Sequence, residues 1–180
     1  ELLQQYKEMG VRHIVALRGD IPSGMGPGIS GLRYANEPVE LIKTAFGSDF
    51  HVEVAAYPEY HPQAGSAQAD LDAFARKVKA GANSAITQYF FNADAYFRFV
   101  DEAGARGVDI PSGPGIMPIY NFSQLARLSD LCGAEIPRWL RLKLAGYGDD
   151  VHSIRALGLD VVTDLCDRLL SGGAPGLHFY

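Results

Sequence analysis

The sequence predicts an α/β protein in which parallel strands alternate with helices. Three observations carry this. Short apolar runs, at residues 52–56 and 84–91 most clearly, are each followed by a loop and then by a stretch with helical periodicity. The helical stretches are long enough to act as right-handed crossovers between parallel neighbours. Polar residues collect where strands hand over to loops, which is the ligand-facing end in this class of protein.

The elements follow in order. Residues 1–10 read as the tail of a helix, with Leu2, Leu3, Tyr6 and Met9 at helical spacing and Gly10 as its C-cap. A chain that opens in mid-helix is expected to be a piece, or the ordered portion, of a longer protein. Residues 13–17 form a buried-strand run that ends in Arg18-Gly19-Asp20, and residues 21–31 are a loop crowded with glycine and proline. A helix is expected at 34–46. The next strand opens at His51 and releases Tyr57, Glu59, Tyr60 and His61 into a loop bounded by Pro58 and Pro62. The helix at 70–80 puts Leu71, Phe74, Ala75 and Val78 on one face and leaves Arg76, Lys77 and Lys79 off it.

Residues 84–91 are the third strand, and Asp94 is expected to cap a helix containing Tyr96, Phe97, Phe99 and Val100. A weaker strand lies at 115–119, behind Pro111 and Pro114. Asn121 or Ser123 caps a helix with Leu125, Leu128 and Leu131 on its apolar face. Helices at 137–144 and 151–170 follow, and residues 176–180 start a last strand. Five strands so separated fit either an open doubly wound sheet or part of a (β/α)8 barrel. A whole barrel needs about 250 residues, roughly two to three βα units more than are present. The half-helix in front and the abrupt strand behind favour part of a barrel, with residues 1–180 as one domain.

Composition sets the outer bounds. With 47% hydrophobic and 21% charged residues over 180 positions, the chain can bury one sizeable core. A net charge of −5 and a pI near 5.5 argue against a general nucleic-acid binder. No apolar run approaches the roughly 18 residues of a membrane span, and no basic-then-apolar leader opens the chain, so a cytoplasmic address is expected. Cys132 and Cys166 lack CxxC spacing and are expected to be free, buried thiols.

The strand ends offer Arg18 and Asp20, then Tyr57 and His61, then Gln88, then Asn121 and Gln124. One such residue is an ordinary solvated loop residue. The same pattern on four strands points to one ligand site. HExxH, GxSxG and GxxxxGK[ST] are absent. The GxGxG run at 24–28 is no dinucleotide fingerprint, because Ile21-Pro22-Ser23 separate it from the strand and Pro27 breaks the turn. The histidines lack metal-ligand spacing, so no metal site is expected. Arg76-Lys77 is either a solvated helix face or a partner for phosphate or pyrophosphate. Asp70 could cap its helix or accept hydrogen bonds from ribose hydroxyls.

Seven blocks taken in order carry more. ALRGD (16–20), VAAYPEYHPQA (54–64), AQADL (67–71), RKV-AG (76–81), AITQYFF (85–91), PGIMPI-NF (114–122) and HFY (178–180) closely resemble the methylenetetrahydrofolate reductase family over nearly the whole chain. The resemblance implies a (β/α)8 TIM barrel, of which this chain supplies roughly the last five βα units. It implies FAD as cofactor, NADH or NADPH as electron donor, 5,10-methylenetetrahydrofolate as substrate, and a homo-oligomer serving one-carbon metabolism and methionine biosynthesis. By motif position, Arg18, Gly19, Asp20, Tyr34, Ala35, Tyr57, His61, Asp70, Arg76 and Lys77 match FAD contacts. Asp20, Gln88, Gln124 and Tyr180 match substrate contacts, with Asp20 and Gln88 in catalytic roles. A carboxylate at Asp20 near the flavin would disfavour the anionic reduced ring and favour the cationic iminium form of the folate. Gln88 offers a donor and an acceptor to a pterin edge, and Tyr57 can pack on the isoalloxazine or the adenine.

Two positions depart from the family pattern. Ala73 stands where a polar flavin contact is usual, and Leu128 stands where an aromatic usually stacks on the nicotinamide cofactor. Leu128 keeps open a related folate-handling flavoprotein with another electron donor. A non-catalytic binding protein, which would be colourless, is the other alternative.

Overall fold

The computed structural model describes residues 1–17 and 34–180. Its elements run α1 (Leu2–Glu8), β1 (His13–Ala16), α2 (Asn36–Phe46), β2 (His51–Ala56), α3 (Ala67–Lys79), β3 (Ser84–Tyr89), α4 (Ala93–Gly104), β4 (Ser112–Ile116), α5 (Phe122–Cys132), α6 (Arg138–Gly146), α7 (Val151–Ser171) and β5 (His178–Phe179). The strands form one sheet in the order β1-β2-β3-β4-β5, and every pairing is parallel. Strand order that follows chain order has no point where the winding reverses, which a doubly wound sheet requires. The sheet is an arc of a (β/α)8 barrel wall.

Period-two burial shows how the wall is built. Val52, Val54 and Ala56 of β2 are buried and pack with Val39 and Ile42 of α2 and Leu71 and Phe74 of α3. The alternate residues, His51, Glu53 and Ala55, face the other side of the sheet. A second core joins Tyr89, Phe90 and Ile116 to Tyr96 of α4, Leu140 and Leu144 of α6, and Leu169 of α7.

Several elements differ from the sequence expectation, and at α3 and α4 a capping side chain explains why. Among the described residues β1 pairs with β2 alone, and Val15 is 50% exposed. α2 starts at Asn36, two residues late. α3 starts three residues early, because Ser66 Oγ accepts the Ala69 N–H at 3.1 Å. Asn92, not Asp94, caps α4 by accepting the Asp94 N–H at 3.0 Å, which leaves the Asp94 carboxylate to pair with Arg168. Asn121 caps α5 and Gly133 ends it in the left-handed region at φ 73°. Along α5 only Leu125 of the expected leucine face is buried: Leu131 is 71% exposed, and Ser129 turns inward instead. Cys132 and Cys166 are free and half-buried. The glycine- and proline-rich loop lies outside the described residues, and so do Arg18, Gly19 and Asp20.

Candidate active site

Strand β2 and helix α3 build a cleft between them. Beyond Ala56 the chain turns into the loop holding Tyr57 and His61, whose rings meet edge-on with centroids 4.6 Å apart. The loop is pinned to the helix by the His61 N–H, which donates to Asp70 Oδ2 at 2.9 Å. His61 Nδ1 accepts the Gln63 N–H at 3.0 Å, which places the proton of the neutral ring on Nε2. On α3, Ala69, Ala73 and Arg76 recur at helical spacing and present one face to a cavity of about 580 Å³. Tyr34, Ala35, Tyr57, His61, Asp70, Arg76 and Lys77 all line this cavity.

Lys77 departs most from the sequence expectation. Periodicity put it off the apolar face with Arg76 and Lys79, yet it is only 8% exposed. Its Nζ donates to the Ala55 carbonyl and lies 5.7 Å from the centre of the Phe74 ring. Burial pushes its ammonium down to about 8, opposed in part by the nearby Asp70 carboxylate. Among the described residues no carboxylate forms an ion pair with it. Ala73 also lines the cavity and supplies no polar group to it.

The remaining candidates lie elsewhere along the sheet. Gln88, near the C-terminal end of β3, accepts the Tyr89 N–H on Oε1 at 2.9 Å. A backbone N–H needs an acceptor, so the amide is oriented with Oε1 on Tyr89 and Nε2 outside that bond. Tyr180 donates its hydroxyl to the Thr87 carbonyl at 3.0 Å. Gln124 is exposed in the first turn of α5, where its backbone N–H donates to Asn121 Oδ1. The seven residues around α3 thus share one cavity, and Gln88 and Tyr180 meet through Thr87. Gln124 stands apart from both groups.

Sequence reasoning missed Thr87 and the role of Glu59. Thr87 is fully buried, and its hydroxyl accepts the Gly115 N–H at 2.9 Å. The available signal was Pro114, a proline inside a central strand, which marks an irregular pairing. Glu59 ties the β2 loop to the α5–α6 connection by accepting the Glu135 N–H at 2.8 Å, and burial raises its carboxyl above the ordinary range. Among the described residues no cluster of three or more His, Cys, Asp or Glu side chains suits a metal ion, and no helix is long and apolar enough to cross a membrane.

A family profile described as methylenetetrahydrofolate reductase matches residues 1–180. The chain belongs to the methylenetetrahydrofolate reductase family. The 5,10-methylenetetrahydrofolate reductase of Escherichia coli strain K12 is 42% identical over 179 residues, covering 99% of this chain and 59% of that protein. That of Pectobacterium carotovorum is 42% identical over 181 residues, and one from Buchnera aphidicola of Schizaphis graminum is 40% identical over 180. The chain therefore spans about 59% of the length of the first curated relatives it matches. A solved structure from Clostridium thermocellum, described as an uncharacterized protein that binds two copies of 5-methyl-5,6,7,8-tetrahydrofolic acid, superposes with a TM-score of 0.58 at 19% identity. It covers 98% of this chain and 60% of that one, and at that identity the likeness concerns the fold alone.

Proposed function

We propose that the protein containing this chain reduces 5,10-methylenetetrahydrofolate to 5-methyltetrahydrofolate, with electrons from NADH or NADPH carried through FAD. In this reading the chain is the C-terminal part of one barrel domain in a cytoplasmic homo-oligomer. The observation that carries the proposal is the shared cavity: Tyr34, Ala35, Tyr57, His61, Asp70, Arg76 and Lys77 line it together, although 43 positions separate the first from the last.

The residues present fit a dinucleotide. Arg76 and Lys77 bring a guanidinium and a desolvated ammonium to one wall, which suits a diphosphate. Tyr34 and Tyr57 offer aromatic faces for the ring systems. Asp70, with one oxygen on the His61 N–H, keeps its other oxygen for a ribose hydroxyl. When bound, FAD supplies the two-electron carrier between nicotinamide and folate.

The chain's own groups then position and polarise. Gln88 offers two N–H donors on Nε2 to an oxygen or ring nitrogen of the pterin. Its oxygen is already engaged by Tyr89, so the substrate-facing end is the donor. Gln124, exposed at the start of α5, is assigned to the substrate by its motif position alone. With its hydroxyl held by Thr87, Tyr180 contacts substrate through its ring. Arg18 and Gly19 hold the flavin, and Asp20 favours positive charge on the folate.

The test is an absorbance spectrum of the full-length protein, followed by mixing with pyridine nucleotide under anaerobic conditions. A yellow protein that bleaches with NADH or NADPH and recovers on adding methylenetetrahydrofolate is expected. A colourless protein that takes up no FAD sinks the reading and leaves the non-catalytic binding protein. A second reading, the same flavin barrel served by another donor, draws on Leu128, which is 38% exposed on α5 where the family usually has an aromatic. Bleaching by reduced ferredoxin but by neither nucleotide would select it.

A further inference from the structure

The geometry points to Thr87 as the positioning residue that aims Gln88 and fixes Tyr180. Pro114 sits inside β4 with β3 on one side and β5 on the other. Proline has no N–H to give to a ladder. The β3–β4 register duly slips there: Ile86 pairs with Gly113 and Tyr89 with Gly115, so Thr87 and Gln88 together stand opposite Pro114 alone. An extra residue of this kind is a β-bulge, a device that re-aims a side chain near a site.

Thr87 closes the gap that the bulge opens. Its hydroxyl accepts the Gly115 N–H at 2.9 Å, doing what a ladder carbonyl would do, and donates to the Gln88 carbonyl at 2.9 Å. The Thr87 carbonyl accepts the Tyr180 hydroxyl at 3.0 Å. Gly115 completes the arrangement. A Cβ there would come within 2.2 Å of the Thr87 carbonyl oxygen and 2.7 Å of the Tyr180 ring. Thr87 is fully buried, so it touches no ligand and acts through its neighbours.

This inference rests on the proposed folate role of Gln88, and its test is chosen to separate the two. In the full-length protein, Thr87→Val keeps the shape and removes the hydroxyl. It is expected to weaken 5-methyltetrahydrofolate binding at least tenfold while FAD affinity stays within twofold. Thr87→Ser, which keeps the hydroxyl, should restore the parental value. In a Gln88→Ala background the valine should change folate binding less than twofold, because the side chain that the Thr87 hydroxyl aims is gone, while Tyr180 is still held by the Thr87 backbone carbonyl. Ligand-free nitrogen-15 spectra add a readout independent of folate: the Gln88 side-chain amide signals should move in the valine variant and return in the serine variant. Should the valine variant fail to fold, Thr87→Ala carries the same comparison. Parental folate binding without the hydroxyl, equal loss of FAD and folate binding, or additive losses in the double variant overturns the inference. Unmoved Gln88 signals overturn it too. Signals that move as expected in a protein that binds no folate support it, and count against the functional reading alone.

Discussion

The cleft beside α3 and the bulge between β3 and β4 lie on the same arc of wall and solve opposite problems. The cleft is an open space of about 580 Å³ with a cation set into its wall. Lys77 has one backbone carbonyl and a ring face as partners, and no carboxylate ion pair among the described residues. The bulge is filled: Thr87 spends its hydroxyl and its carbonyl internally, and Gly115 has no room for even a methyl group. Under the proposed function, the cleft keeps electrostatic attraction in reserve for an anionic ligand, at some cost to the stability of the fold. A positioning element does the reverse and saturates its polar groups so that geometry cannot drift.

The contrast can be broken most forcefully at Gly115. Gly115→Ala forces a methyl group onto backbone and should cost about 3 kcal/mol or more in a urea titration, while FAD affinity per folded molecule stays unchanged. A loss below about 1 kcal/mol would mean that the strands part easily and that the bulge is no rigid frame.

Lys77→Met should behave in the opposite way, weakening FAD binding by about 10- to 100-fold while leaving the apoprotein as stable as before or more so. The pH dependence has a definite sign. The folded-state value near 8 lies below the ordinary 10.5, so between these limits the unfolded chain binds the extra proton. Burial therefore costs most below pH 8, and apoprotein stability from this group rises as pH climbs towards 10.5. Thermal melts on either side of that window should show the rise in the parent and lose it in the methionine variant.

A smaller effect is expected at Glu59. Glu59→Ala leaves the Glu135 N–H without its acceptor and should cost about 1 kcal/mol, whereas Glu59→Gln keeps an acceptor and should stay within about 0.5 kcal/mol. Because burial raises this carboxyl, the folded form holds its proton longer than the unfolded chain does. Its contribution should fall as pH rises from 4.5 through the raised value, and the glutamine variant should lack that slope. Smallest of all is Arg168→Ala. The pair with Asp94 is 55% and 68% exposed, so less than about 0.5 kcal/mol should be lost, and salt should erase it.

Much of the wall could be read from the sequence. Val52, Val54 and Ala56 alternate as a half-buried strand must, and the core of α4 announces itself through Tyr96 and Phe99. Helix starts were harder, because capping is decided by one side-chain oxygen: Ser66 and Asn92 took roles expected nearer Asp70 and Asp94. The leucine face of α5 misled for a related reason, since periodicity names a stripe and not the partner that must cover it. In the cleft, residue types and order pointed to Tyr57 and His61, and left Arg76-Lys77 as either a solvated face or a phosphate partner; periodicity did not foresee the burial of Lys77.

By itself the sequence determined the alternation of strands and helices, the parallel crossovers and the motif blocks that mark the family, because these are set by neighbours a few positions apart. The tertiary structure decided the winding of the sheet, the burial of Lys77 and the knot around Thr87. Each of these depends on groups remote in the chain: Lys77 Nζ on a carbonyl 22 residues away, and Thr87 on a phenol 93 residues away. Local periodicity carries no information about such partners. Only when distant strands are laid side by side does a buried charge find its carbonyl, or a glycine N–H beside a strand proline find a threonine hydroxyl to accept it.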